Sequence, residues 1–208
     1  MYTREHTTMK MRGNPDISYL GHTVDQMIWS FMEQEKIDGL TLAIVQAPYI
    51  PRVAGYGYSD SQRRRLASPN TMWPAGPISQ AFAAVAVMQL HEDGGLDVNR
   101  RASVYIPELP DTWNDITVLQ LLRHASGLPD YRRAAEFSPD TPWTFDALLQ
   151  LAARNPLHFV PGTEVEQSAT NFLLLTEIVE RVSGLSYHDF VTKRQIEFLG
   201  LGHTGFKE

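Results

Sequence analysis

The sequence predicts an α+β protein, and three observations carry that prediction. An amphipathic helical pattern lies near the N-terminus, an antiparallel hairpin follows it directly, and the long remainder has almost wholly helical apolar spacing. Helix then hairpin, without alternating single strands and helices, argues against a βαβ architecture.

Residues 1–13 are polar and read as a flexible N-terminus, leaving 14–208 as one domain. Asn14-Pro15 offers a cap and a first-turn proline. Ile17, Leu20, Val24, Met27, Ile28 and Phe31 follow at three- and four-residue spacing, so the predicted helix runs on until Lys36–Gly39 ends it. Leu40–Val45 reads as a strand, Pro48 to Pro51 as a turn, and Val53–Tyr58 as the returning strand. From Pro77 to Leu90 the chain is apolar almost all round, which predicts a helix buried on every side and stopped by Gly94-Gly95. Thr117 and Gln120 fit a capping box that opens a short helix to about His124. Pro129 to Pro142 reads as loop. Phe145, Leu148, Leu149 and Ala152 mark the next helix, ended before Pro156, and Phe172, Leu175, Val179 and Val182 mark another, closed at Gly184. Ser186 and Asp189 fit a second capping box, for a helix ending near Leu199-Gly200.

Charge and composition narrow the classes. At 208 residues, 43% hydrophobic and 20% charged, the chain is ordinary globular material and not a disordered or fibrous one. A net charge of −6 argues against a nucleic-acid partner, and Arg63-Arg64-Arg65 reads as a solvated loop. With no cysteine there is neither a disulfide nor a thiolate nucleophile. The seven histidines show no metal-ligand spacing, so no metal and no other cofactor is expected. The N-terminus lacks a signal peptide's apolar core, and no apolar run approaches the roughly 20 residues of a membrane span. The expectation is a cytoplasmic protein without a membrane partner.

Several segments, in order, resemble the serine β-lactamase and penicillin-binding-protein superfamily, in particular its class C-like branch of esterases and peptidases. Ile37-Asp38-Gly39-Leu40 looks like that branch's opening, and Met72 to Gln80 sits where its nucleophile motif would be. Met88 to Asp97 and Tyr105 to Pro110 are similar to its next helix and loop. Leu121-Leu122-Arg123-His124-Ala125-Ser126-Gly127-Leu128-Pro129 is close to its most recognisable loop, and Pro161-Gly162-Thr163 and Leu199 to Thr204 complete the series. The resemblance implies a β-lactamase/transpeptidase-like fold, a helix-rich lobe plus an antiparallel sheet. That sheet is expected to be incomplete here, since the family's last strands would lie beyond this sequence.

The chemistry of that family needs a serine and a lysine one helical turn apart, so that the amine takes the hydroxyl proton. A Tyr-x-Asn motif relays it, and a Lys-Thr-Gly or His-Thr-Gly strand lines the opposite wall. In register, the serine falls on Pro77 and the lysine on Gln80, while the tyrosine and asparagine fall on Gln167 and Ala169. None of the four lysines (Lys10, Lys36, Lys193, Lys207) has a serine three residues before it. His203-Thr204-Gly205 comes too early to be the third motif.

No catalytic residue of the family mechanism is therefore expected. Candidate cleft or ligand-binding residues are Ser79, Gln80, His124, Ser126, Tyr131, Gln167 and Ser168, with Asp130 beside Tyr131. For Ser79 the plain alternative is a buried helix serine, and for Ser168 a helix cap. The leading reading is a non-hydrolytic relative that has lost this machinery, its cleft serving ligand binding, protein interaction or a reaction that needs no acyl-enzyme, with Gln80 and Gln167 suited to orienting a polar ligand. Two others stand beside it: an enzyme that hydrolyses, isomerises or cyclises its substrate through Ser168, His124 or Tyr131, and a structural partner subunit. Unpaired edges on the Leu40–Tyr58 hairpin further predict a homodimer, or a complex with a chain completing the sheet.

Overall fold

Thr23 decides where the first helix begins. In the computed structural model, which describes residues 12–13, 17–46 and 49–206, helix α1 spans Val24–Glu35 and does not start near Asn14, which lies outside the described residues. The Thr23 hydroxyl accepts from the Gln26 backbone N–H at 3.2 Å, and the Gln26 side chain accepts from the Thr23 N–H at 2.9 Å. This reciprocal cap satisfies two donors that a helix start otherwise leaves open. Ile17 and Leu20 therefore stand outside the helix. Strands β2 (Ser18–Tyr19) and β3 (His22–Thr23) form a tight hairpin across Leu20 and Gly21, both at positive φ, and Leu20 points to solvent.

The chain divides into two units, residues 1–74 and 75–208. In the first, strands β4 (Gly39–Gln46) and β5 (Tyr49–Asp60) pair antiparallel from Gly39↔Gly57 to Gln46↔Tyr49. Strand β5 also pairs with β1 (Arg12–Gly13) and with β6 (Arg65–Leu66), so the β structure is wider than one hairpin and Arg12–Gly13 is paired strand. Of the expected turn, Pro48 lies outside the described residues and Pro51 belongs to β5. Met32 of α1 packs with Ala54 and Tyr56 of β5, ringed by Ile28, Trp29, Leu40 and Leu42. Met27 and Phe31, expected on this apolar face, turn outward and line a shallow surface groove. The buried guanidinium of Arg52 bonds to Asp25, which also accepts from the Tyr56 hydroxyl at 2.7 Å. Pairing of this kind is what lets a charge sit in a small core. Arg63 and Arg64 lie in an exposed turn before β6.

The second unit is helical. A single 3₁₀ turn, Gly76–Ser79, leads into α2 (Gln80–Glu92); α3 (Val118–Leu122), α4 (Phe145–Ala153), α5 (Ala169–Ser183) and α6 (Tyr187–Val191) follow. Helix α5 is central, and α2, α3, α4 and α6 all pack on it around Val87, Ile106, Trp113, Leu121, Leu174 and Ile178. The caps at Thr117, Thr144, Ser168 and Ser186 each accept a backbone N–H, and Gly184 closes α5 at φ 70°. Helix α2 is not buried on every side. Ala83, Ala86, Val87 and Leu90 face inward, whereas Val85 and Met88 are exposed, as is Ile78 before them. After α6 the helix widens into a π-helical turn, Thr192–Glu197, where the buried Gln195 amide donates to the Phe82 carbonyl at 2.9 Å. His203-Thr204-Gly205 is irregular and not a strand. Among the described residues, no helix is long and apolar enough to cross a membrane.

Candidate functional site

Three segments of the helical unit meet: the start of α2, the loop after α3, and the chain entering α5. The loop is anchored rung by rung. The His124, Ala125 and Gly127 carbonyls accept from the N–H groups of Glu166, Gly162 and His158 at 3.0, 2.7 and 2.8 Å. Gly127 makes this close approach possible. It sits at φ 73°, and a Cβ there would stand 2.3 Å from the Phe159 carbonyl oxygen, so only glycine fits.

His124 turns into the site from a left-handed backbone at φ 54°. Its Nδ1 lies 3.3 Å from the Ser168 backbone N–H and 3.0 Å from Nδ2 of Asn171. A backbone N–H only donates, so Nδ1 is the acceptor and the ring proton is on Nε2. Nε2 then donates to Oε1 of Gln80 at 3.3 Å. Burial lowers the pKa of His124, which favours this neutral ring. The hydroxyl of Ser126, fully buried, donates to Oδ1 of Asn171 at 2.5 Å and accepts from the Leu128 N–H at 3.1 Å. Ser126, Asn171, His124 and Gln80 thus form one continuous chain of hydrogen bonds.

Beside it lies a cleft of about 420 Å³ lined by Pro77, Asp130, Arg132, Arg133 and Gln167. Asp130 is only 8% exposed. Burial alone would raise its pKa, but bonds from Arg132 and from the backbone N–H groups of Arg132 and Ala169 outweigh this and hold it below the usual value. Glu166 is likewise lowered, chiefly by its bond to His158 and further by Arg133. Tyr131, half-buried with its ring edge-on to Phe137 at 5.3 Å, has its phenol pKa raised by desolvation.

The expected site residues separate under this geometry. Pro77 and Gln167 line the cleft, and Gln80 and His124 bond each other. Ser126 and Ser168 are buried with their hydroxyls engaged, Ser168 as the cap of α5 accepting from the Thr170 N–H at 3.2 Å, so neither presents a group to the cleft. Ser79 is exposed, not buried, and its hydroxyl donates to the Gly76 carbonyl at 2.6 Å. Ala169 contributes its backbone N–H to Asp130 at 3.1 Å. Sequence reasoning missed Asn171, Arg132, Arg133, Glu166 and His158. None of these left a spacing signal, since Gln167 precedes the Ser168 cap of α5 and helical periodicity does not connect it to Asn171. Among the described residues, no group of three His, Asp or Glu side chains converges so as to hold a metal ion.

The beta-lactamase family model matches residues 24–208. The chain belongs to the β-lactamase family. It is 28% identical over 189 residues to protein flp of Staphylococcus aureus, an alignment covering 89% of this chain and 38% of that protein. Among solved structures it resembles a class C β-lactamase (27% identity, TM-score 0.76, 88% of this chain and 50% of that one). It also resembles the octameric penicillin-binding protein homologue from Pyrococcus abyssi (26% identity, TM-score 0.72, 85% of this chain and 42% of that one). The chain thus spans less than half the length of the curated relative it matches. The α+β architecture, with its helical unit and antiparallel sheet, is that of the β-lactamase/transpeptidase fold.

Proposed function

We propose that this β-lactamase-family chain binds a polar small molecule and forms no acyl-enzyme with it. The observation that carries this reading is the pair Gln80–His124: in the register of the family's lysine, an amide oxygen accepts from a neutral imidazole. An amide takes up no proton at neutral pH. Pro77, in the register of the nucleophile, brings a ring and no hydroxyl to the cleft wall. The neighbouring candidates offer no substitute. His124 accepts through Nδ1 and donates through Nε2, which leaves it no nitrogen with which to deprotonate a serine. Ser126, Ser168 and Ser79 all have their hydroxyls engaged with neighbouring groups.

The test is direct. A chromogenic cephalosporin and a p-nitrophenyl ester are expected to turn over no faster with the purified chain than in buffer. Intact mass after incubation with penicillin or a fluorophosphonate is expected to stay unchanged. A stoichiometric adduct mapped to any serine overturns the reading.

A further inference from the structure

The cleft has spent its acceptors and kept its donors. Oδ1 of Asp130 accepts from the Arg132 backbone N–H at 2.9 Å and from Nε at 3.0 Å; Oδ2 accepts from Nη2 at 2.6 Å and from the Ala169 N–H at 3.1 Å. Glu166, which backs Arg133, is used on both oxygens as well, by Arg133 Nη1 at 2.9 Å and by His158 Nδ1 at 2.6 Å. Arg132 commits Nε and Nη2, whereas Arg133 commits Nη1 alone. Among the described residues, no hydrogen bond engages Nη1 of Arg132, Nε or Nη2 of Arg133, or the Gln167 amide. The two arginine side chains remain 45% and 65% exposed.

We infer that this cleft holds the carboxylate of a small molecule, with Arg133 as its principal contact and the Gln167 amide beside it. The inference rests on the binding reading above and names its ligand class. Two arginines and two carboxylates sum to no net charge, so the selectivity comes from geometry and not from long-range attraction. A guanidinium edge presents two parallel N–H groups, and a planar carboxylate answers both at once; a neutral amide answers one. The pinned carboxylates serve this arrangement. Glu166 holds Arg133 by one nitrogen and leaves the Nε–Nη2 edge for a ligand, so less side-chain freedom is lost on binding. Pro77 supplies an apolar wall, and about 420 Å³ suits a small organic acid.

Titration of the full ¹⁵N-labelled chain with benzoate, benzamide and phenyl phosphate, followed through the backbone amides of Arg132 and Ala169, tests this. Benzoate is expected to bind at least about tenfold more tightly than benzamide, and more tightly than phenyl phosphate, whose second negative charge is opposed by the carboxylates of Asp130 and Glu166. Arg133→Gln, at an exposed side chain, is expected to abolish the preference for benzoate over benzamide. Arg133→Lys, which keeps the charge and loses the fork, is expected to recover only a small part of it. No benzoate-dependent shift, equal affinity for benzamide, tighter phenyl phosphate binding, or full recovery in Arg133→Lys overturns the inference. Failure here leaves the non-hydrolytic reading standing, whereas a serine adduct defeats that reading and leaves this measurement intact.

Discussion

Nε2 of His124 faces the side-chain oxygen of Gln80 at 3.3 Å, and the opposite side of the same ring accepts the Ser168 N–H. One imidazole therefore ties the first residue of α2 to the N-terminus of α5, and it does so in a single protonation state. Protonation of Nδ1 would set its N–H against the Ser168 donor. The ring thus fixes the orientation of Gln80, whose oxygen is occupied by His124.

This linkage gives the fold a pH dependence with a definite sign. The folded pKa of His124 lies below the ordinary 6.5 because burial penalises the charged ring. Between the two values the unfolded chain binds the extra proton, so stability is complete above about 6.5 and falls as pH drops through the folded pKa. The thermal midpoint is expected to decline from pH 7 toward pH 5, ahead of the range in which Asp130 and Glu166 titrate. His124→Asn is expected to flatten that decline. A midpoint as steep in the variant as in the parent chain would show that the slope has another source.

Ser126 is expected to matter for stability and not for ligand affinity. Ser126→Ala leaves Oδ1 of Asn171 and the Leu128 N–H without their partner in a buried site. Each unsatisfied group costs roughly 1–3 kcal/mol. Urea unfolding should register a loss of at least about 1 kcal/mol, with benzoate affinity per folded molecule unchanged.

Much of the fold was legible in the sequence because caps are local. Thr117, Gly94 and Gly184 act within a few residues of themselves, and the structure uses them as the sequence suggests; Ser186 caps α6 as expected, but the Asp189 side chain accepts from its hydroxyl and does not close the box on its backbone N–H. The start of α1 misled because Ile17 and Leu20 continue a helical spacing that the Thr23–Gln26 cap overrides. Exposure along α2 was illegible, since apolar residues on all sides do not reveal which side a neighbour covers. In the candidate site, the motif order led to Pro77 and Gln167 on the cleft wall and to the Gln80–His124 pair. Arg133 with Glu166 and Ser126 with Asn171 are joined only by packing of the post-α3 loop against α5, and no spacing rule reports such pairs.

Repair of one anchor position is not expected to create a hydrolase. Pro77→Ser supplies a hydroxyl without a base. Gln80→Lys supplies an amine but sets it against Nε2–H of His124, which the Ser168 N–H prevents from exchanging tautomers. That variant should lose about 1 kcal/mol of stability and gain no ester turnover. Residues that act as a unit are strongly non-additive, so each single change is expected to stay at the parent rate with p-nitrophenyl acetate. Clear turnover by Pro77→Ser alone would reveal a base that the hydrogen-bond pattern does not provide.

The last expectation concerns the sheet. Strand β5 carries every pairing in it, with β4, β1 and β6, and among the described residues β4 pairs with β5 alone. The other side of β4 therefore presents backbone donors and acceptors between Gly39 and Gln46, with the Val45 side chain 67% exposed. Edges of this kind recruit strands unless a charge or a proline blocks them, and Leu40–Val45 contains neither. A second copy offers the matching edge, and antiparallel β4–β4 pairing closes on itself with two-fold symmetry. The 208-residue chain, of 23.5 kDa, is accordingly expected to scatter light as a dimer at micromolar concentration. Val45→Lys, which places a charge on that edge, is expected to shift it to monomer with unchanged far-ultraviolet circular dichroism. A well-folded parent chain of monomeric mass would exclude self-pairing, and a dimer indifferent to Val45→Lys would move the interface away from β4.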